Sequence, residues 1–307
     1  MKTLIICFSQ TGNTLKVAES IIEGVKNVTG SCDLVNMADF NPKVLPDYDL
    51  VGLGCPVFYY RAPHNVREFI KGLPGLDGQH WFVFCSHGSV LGLTLLSMTE
   101  RLEKKGATVI GSHHTYADGT IPFYPYPTVT TGHPDNQDLM EARDFGKKIA
   151  KCSQSVANGD TDCITKPAPV TEDWVPEQAA MLTPEFMSQV MPRLSINTET
   201  CIECGDCQDA CPVNGIDIEA DPPRIQEPCI FCWCCAKICP TCSIETDWSP
   251  LESMARDQYS RYIKALKDAE ARGEFRWLMD PDTLNFDDPL YKQRKRQMKG
   301  TGHKAQG

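Results

Sequence analysis

Residues 3–25 read TLIICFSQTGNTLKVAESIIEGV, and their order decides the fold of the N-terminal half. Thr3–Phe8 is a short apolar run bounded by polar residues, the pattern of a strand covered on both faces. Val17, Ala18, Ile21, Ile22 and Val25 recur at helical spacing and predict a helix with one buried face. Between strand and helix stand Ser9, Gln10, Thr11, Gly12, Asn13 and Thr14. A loop of hydroxyls and small residues at a helix N-terminus turns N–H groups toward a phosphate, and the helix dipole adds to the attraction. The loop has no Walker lysine and is not G-x-G-x-x-G, so a monophosphate ester suits it better than ATP or a dinucleotide.

The same alternation continues to about residue 150. Asp33–Asn36, Leu50–Gly54, Trp81–Cys85 and Thr108–Ser112 read as strands. Helical patterns run through Val66, Phe69 and Ile70, then Leu95, Leu96, Met98 and Leu102, then Leu139 to Ile149. Five strands alternating with helices predict a doubly wound α/β sheet. Two further loops follow strand ends. Pro56, Val57, Phe58, Tyr59 and Tyr60 form an aromatic run, and aromatics on a loop suit the face of a planar ring. Ser86, His87 and Gly88 follow the fourth strand. With the phosphate loop, these segments resemble the flavodoxin family over residues 1–151. The resemblance implies strand order 2-1-3-4-5, FMN at the carboxyl edge of the sheet, and FMN contacts from the residues of the three loops. Flavodoxins commonly keep a glycine in the first flavin loop, and Cys55–Pro63 has none. Placed near the ring, Arg61 and His87 would favour an anionic reduced flavin. The stretch from Tyr116 to His133 fits either a cap over the flavin or surface packing.

Sixteen cysteines in 307 residues, ten of them between Cys201 and Cys242, point to metal ligation rather than a disulfide scaffold. Residues 201–212 read CIECGDCQDACP and residues 229–240 read CIFCWCCAKICP, so the spacing C-x-x-C-x-x-C-x-x-x-C-P occurs twice in full. Two complete runs of this spacing are not the pattern of a tetrahedral zinc site. With Ile202, Ile230, Val213 and Ile216, they resemble bacterial two-cluster 4Fe-4S ferredoxins, whose fourth cysteine reaches across to the other cluster. That resemblance implies one cluster on Cys201, Cys204, Cys207 and Cys239, and a second on Cys211, Cys229, Cys232 and Cys235. Cys234 and Cys242 lie off the spacing and read as small packed side chains, as do Cys7, Cys32, Cys55, Cys85, Cys152 and Cys163.

The rest divides around these motifs. Residues 152–193 read as a linker, with Asn158-Gly159, Pro167, Pro169 and Pro176 as breakers and a short amphipathic helix through Met181, Phe186, Met187, Val190 and Met191. Residues 194–247 form a small α+β ferredoxin-like domain, and 248–307 a helical extension from Leu251 to Leu278 with a basic, solvated tail from Lys292 to Lys304. The formal charge of −10 argues against a nucleic-acid surface. No run of apolar residues is long enough to span a bilayer, and no secretory signal precedes the first strand, so a cytoplasmic protein with reduced thiols is expected. No catalytic residue stands out. Flavin takes one or two electrons and each cluster takes one, so the expected function is electron transfer between FMN and two 4Fe-4S clusters, with redox proteins as partners. The alternatives are an FMN-dependent reductase of a quinone-like or nicotinamide substrate, and a ferredoxin carrying a flavin-free docking domain.

Overall fold

Ile5, Ile6, Leu50, Leu53, Phe82 and Phe84 are fully buried on runs with no exposed face, which places their strands inside a sheet covered on both sides. The computed structural model describes residues 1–119 and 121–300, without the side chains of residues 299 and 300. It divides into two units, Met1–Asp118 with Gly132–Leu182, and Gly119–Thr131 with the chain from Thr183 onward.

The first unit runs β1 (Thr3–Cys7), α1 (Asn13–Thr29), β2 (Asp33–Asn36), β3 (Leu50–Pro56), α2 (His64–Gly72), β4 (His80–His87), α3 (Thr94–Glu103), β5 (Thr108–Tyr116) and α4 (Asn136–Ala157). The sheet has the order β2-β1-β3-β4-β5 with every neighbouring pair parallel, as expected. β3, β4 and β5 run further than their apolar residues suggest. Pro56 pairs with Ser86 and His87 with Tyr116, so ladder partners carry polar residues out to the carboxyl edge. α2 and α3 bury Val66, Ile70, Leu95, Met98 and Leu102 in the core of one face. α1 and α4 bury Val17, Ile21, Val25, Ala142 and Ile149 in that of the other.

α1 and α4 approach closely because both are glycine at the contact. A Cβ on Gly146 would meet the Ile21 carbonyl oxygen, and one on Gly24 the Arg143 carbonyl oxygen. Backbone carbonyls cannot rotate away as a side-chain tip can. Gly146→Ala should therefore lower stability by about 1–3 kcal/mol through overpacking, against the roughly 1 kcal/mol that alanine gains in a helix interior. A urea midpoint equal to or above that of the parent protein would contradict this packing.

The chain from 152 to 182 is not a plain linker. α4 continues to Ala157, and a disulfide joins Cys152 to Cys163, against the expectation of reduced thiols. In chain-entropy terms its 11-residue separation contributes about 3 kcal/mol. Thr165 N then donates to Ile110 O of β5 at 3.2 Å. The single expected amphipathic helix is two, α5 (Val175–Met181) and α6 (Pro184–Val190), parted where Thr183 caps Phe186 N and Pro184 opens the second.

In the second unit β6 (Ser195–Ile196), α7 (Asp206–Asp209), β7 (Ile216–Asp217), β8 (Arg224–Ile225), α8 (Cys234–Ile238) and β9 (Ile244–Glu245) make a small α+β body. β6 pairs antiparallel with β9, and β7 with β8. α9 (Ser249–Ala271) is shorter than its pattern predicts and stops before Gly273, whose φ is 74°. Its stripe Ala255, Tyr259, Tyr262, Leu266 and Ala269 is buried. The Tyr124 ring meets Tyr259 edge-on at 5.2 Å and Phe123 meets Trp233 at 5.4 Å, so this stretch between β5 and α4 is built into the second unit.

As far as residue 300 the basic tail is not solvated chain but α10 (Leu290–Gly300). Its charges have partners: Lys292 with Glu252 at 3.0 Å, Lys295 with Glu245 at 2.9 Å and Arg296 with Asp288 at 2.7 Å. Low apolar content hid this, because the segment is held by ion pairs, two of them to acids 40 and 50 residues earlier. The Lys299 side chain and Lys304 lie outside the described residues. Among the described residues no helix is long and apolar enough to cross a membrane.

Candidate functional sites

The first site lies at the carboxyl edge of the large sheet. Gly12, at φ 90°, turns the chain from β1 into α1, where no acidic residue occupies the first turn. The loop is fastened from three directions. Ser9 Oγ accepts from Leu15 N at 3.2 Å, Thr14 Oγ1 and Ser86 Oγ are 2.7 Å apart, and Asn13 Nδ2 donates to Asp118 O at 3.1 Å. The ends of β4 and β5 thereby fix the N-terminus of α1. Of the other loop residues, Thr11 is exposed and Gln10 half-buried.

The aromatic loop is a tight hairpin turn. Phe58 and Arg61 exchange backbone hydrogen bonds at 3.0 and 3.1 Å, while Tyr59 and Tyr60 between them have φ of 51° and 63°. Such turns favour Asn-Gly because both central residues are left-handed. Two tyrosines there store about 1–3 kcal/mol of strain each, a cost that concentrates at functional sites. Tyr60 is buried edge-on against Trp174 at 5.2 Å, Phe58 lies edge-on to Phe8 at 6.3 Å, and Tyr59 is half-buried. Arg61 Nη2 donates to Leu182 O at 2.5 Å.

The turn is locked to the neighbouring loops. Val57 N donates to Ser86 O at 3.0 Å, and Leu93 N to Tyr60 O at 2.7 Å. Gly92, at φ 63°, lies so close that a Cβ would fall 2.7 Å from Tyr60 Cα and closer still to its carbonyl oxygen. Gly88 is half-buried. Beneath them His87 is 5% exposed, with Nε2 3.0 Å from His114 Nδ1 and its ring 4.5 Å from that of Tyr116. Burial, with help from His114, holds the His87 imidazole well below its usual range, so it is neutral at physiological pH. Its Nδ1 is buried with no hydrogen-bond partner among the described residues.

The second site is a repeat. From Cys201 and from Cys229 the backbone takes the same conformations at the same offsets. Left-handed residues fall at Glu203 and Phe231 (φ 52° for each), at Gly205 and Trp233 (82° and 61°), and at Asn214 and Cys242 (53° and 52°). α7 and α8 begin at matching positions, as do β7 and β9. These turns aim backbone N–H groups at sulfur. Glu203 N donates to Cys201 Sγ at 3.5 Å and Phe231 N to Cys229 Sγ at 3.4 Å. Gly215 N donates to Cys211 Sγ at 3.1 Å and Ser243 N to Cys239 Sγ at 3.2 Å. In the repeat Cys234 stands where the first run has Asp206, and Cys242 where it has Asn214, so neither has a cysteine as its counterpart.

The cysteines gather across the repeat. Cys201, Cys204, Cys207 and Cys239 line one hollow, together with Ile196 and Ile244. Cys211 lies by the second run: it adds to the upward shift of the Cys229 and Cys232 thiols, both pushed to about 11 first of all by burial. Burial likewise raises Cys235, with Cys232 and Cys229 adding. Burial alone would raise Cys239, but hydrogen bonds from Thr241 and the N–H groups of Ser243, Thr241 and Ile244 outweigh it and hold the thiol below its usual value. Among the described residues no three His, Cys, Asp or Glu side chains surround a common single-ion point. A cubane does not need one, since its iron is spread over a cluster ligated by four thiolates.

The sequence matches the family model described as Flavodoxin domain over residues 4–110 and that described as 4Fe-4S dicluster domain over residues 193–240. A flavodoxin from Megasphaera elsdenii is 32% identical over 150 residues, covering 48% of this chain and 97% of that protein. The chain belongs to the flavodoxin family. A protein of Archaeoglobus fulgidus named NAD(P)H dehydrogenase (quinone) is 26% identical over 193 residues, covering 50% of this chain and 98% of that one. The solution structure of two-electron reduced Megasphaera elsdenii flavodoxin aligns with TM-score 0.39 at 27% identity, over 48% of this chain and 98% of that one.

A flavodoxin domain implies FMN, and a 4Fe-4S dicluster domain implies iron–sulfur clusters. Both sets of residues fit their groups. At the flavodoxin edge an acid-free helix start suits a phosphate, and the buried His87 Nδ1, without a hydrogen-bond partner among the described residues, suits a polar group. In the ferredoxin unit the donors are thiols with N–H groups already on sulfur, the outer shell that orients such ligands. Because burial raises Cys229, Cys232 and Cys235, ligation must displace protons there, and assembly strengthens as pH rises. Sequence reading missed Trp174, His114 and Trp233. Only Trp233 had a signal: aligned on their cysteines, the two runs set it against Gly205.

Proposed function

We propose that this protein carries electrons between an FMN in its flavodoxin domain and two 4Fe-4S clusters in its ferredoxin unit. The observation that carries the reading is the paired geometry of the cysteine runs, with Cys239 beside Cys201, Cys204 and Cys207, and Cys211 beside Cys229 and Cys232. Two four-thiolate sets with crossed ligands suit two one-electron centres. FMN would be held by the loops carrying Ser9, Gln10, Thr11, Gly12, Asn13 and Thr14, then Pro56, Val57, Phe58, Tyr59 and Tyr60, then Ser86, His87 and Gly88. It supplies exchange between one and two electrons. Within this reading the α1 N-terminus holds the phosphate, Tyr59 covers the ring, and His87 keeps a neutral nitrogen available to it. Redox proteins serve as donor and acceptor.

The test is iron, acid-labile sulfide and released flavin per chain in one sample purified without oxygen. About eight irons and about one FMN are expected, with flavin bleaching when the clusters are reduced. About eight irons with no flavin, even after incubation with FMN, would leave a ferredoxin with a docking domain. A second reading, an FMN-dependent reductase, is favoured by the likeness to the relative named NAD(P)H dehydrogenase (quinone). Steady NAD(P)H oxidation with a quinone acceptor would select it over the carrier.

A further inference from the structure

α10 delivers a cation to the end of α8, inside the second run of the cysteine repeat. Arg294 Nη1 donates to Ala236 O at 2.6 Å and Nη2 to Cys239 O at 2.8 Å. Ala236 follows Cys235, and Cys239 ends the same run, so one guanidinium holds the backbone between two cysteines assigned to different clusters. The neighbouring cations of α10 differ in kind. Lys292, Lys295 and Arg296 each face a carboxylate, which offsets the charge. Among the described residues Arg294 pairs with no carboxylate, so its charge stands against the cluster turn uncompensated. An arginine cannot shed that charge by deprotonation.

We infer that Arg294 is a positioning and tuning residue of the ferredoxin unit: it fixes the Cys235–Cys239 turn and raises the reduction potential of the cluster that Cys239 ligates. The inference rests on reading these cysteines as cluster ligands. Thiolate-ligated clusters are anionic, and reduction adds one more negative charge, so a nearby fixed cation stabilises the reduced form over the oxidised one. Its bonds to two carbonyls also polarise the peptides on either side of the ligand, the kind of outer-shell contact through which a protein tunes a metal centre. The surrounding charges act in the same or a weaker sense. Lys237 is half-buried on α8 beside Cys232, Cys234 and Cys235, and Lys295 is already paired with Glu245.

The experiment is potentiometric titration of the full chain, followed by the cluster spectra, for Arg294→Gln, Arg294→Lys and Arg296→Gln, with iron counted in each sample. Arg294→Gln should shift one cluster midpoint to more negative potential. Arg294→Lys should restore most of that shift, because it returns the charge without the fork. Arg296→Gln, which loses a charge already paired with Asp288, should leave both midpoints in place. Loss of iron in Arg294→Gln, with iron retained in Arg294→Lys and Arg296→Gln, is also expected, because the cation at this position holds the turn. Unchanged midpoints in Arg294→Gln at full iron, or equal shifts in the glutamine and lysine variants, would overturn the tuning role. A parent protein without about eight irons would instead overturn the ligand reading.

Discussion

Cys239→Ala is expected to retain about four of eight irons per chain, and adding Cys201→Ala to it should remove no more. Adding Cys229→Ala instead should take the remainder. The asymmetry follows from the proposed crossing of the ligands. Cys239 shares a hollow with Cys201, Cys204 and Cys207, although the run that carries it begins at Cys229. Two ligands lost from one cluster cost one cluster, while one lost from each costs both. The mirror set, Cys211→Ala with Cys229→Ala against Cys211→Ala with Cys201→Ala, should behave the same way with the partners exchanged. An uncrossed arrangement predicts the reverse for every pair, so counting iron in four double variants decides it. The expected loss is near total for a cross-cluster pair. Burying thiolates without iron is costly in this core, where Cys207 and Cys239 are under a tenth exposed.

Much of this was legible because periodicity and spacing are local. Apolar runs of strand length alternating with helical stripes lead to the parallel sheet, and the cysteine intervals lead to the two runs. What escaped depends on contacts distant in sequence. Tyr59 and Tyr60 carry no composition signal for left-handed backbone, which the hydrogen bonds between Phe58 and Arg61 and the bond from Leu93 to Tyr60 hold in place. The stretch around Phe123 and Tyr124 was ambiguous because its aromatic partners, Trp233 and Tyr259, lie more than a hundred residues on. α10 lacks an apolar stripe, and its reason to fold is the acids of residues 245–288. Cys152 and Cys163 are not spaced like a motif, so only their proximity across the end of α4 marks them as a pair.

Gly92→Val is expected to weaken FMN binding about a hundredfold, roughly 3 kcal/mol, while leaving the sheet folded. Two effects are combined at this position. Any side chain must accept φ of 63°, and a Cβ must displace the Tyr60 carbonyl it would strike. The first effect alone costs about 1–2 kcal/mol and is felt locally. The second moves Tyr60, which receives the Leu93 N–H and lies in the same tight turn as Tyr59, so the loop proposed to cover the flavin ring loses its position. Gly78 separates the two. Its φ is 77°, but a Cβ there meets nothing within 4 Å, so Gly78→Val carries the strain without the collision. Flavin fluorescence quenching on titration of the apoprotein gives Kd, and urea midpoints give stability. The expected pattern is destabilisation in both variants, larger at Gly92 where the collision adds to the strain, with FMN affinity lost only there. Equal affinity in the two would mean that the Tyr59-Tyr60 turn does not contact the flavin, and the strain stored there would need another purpose.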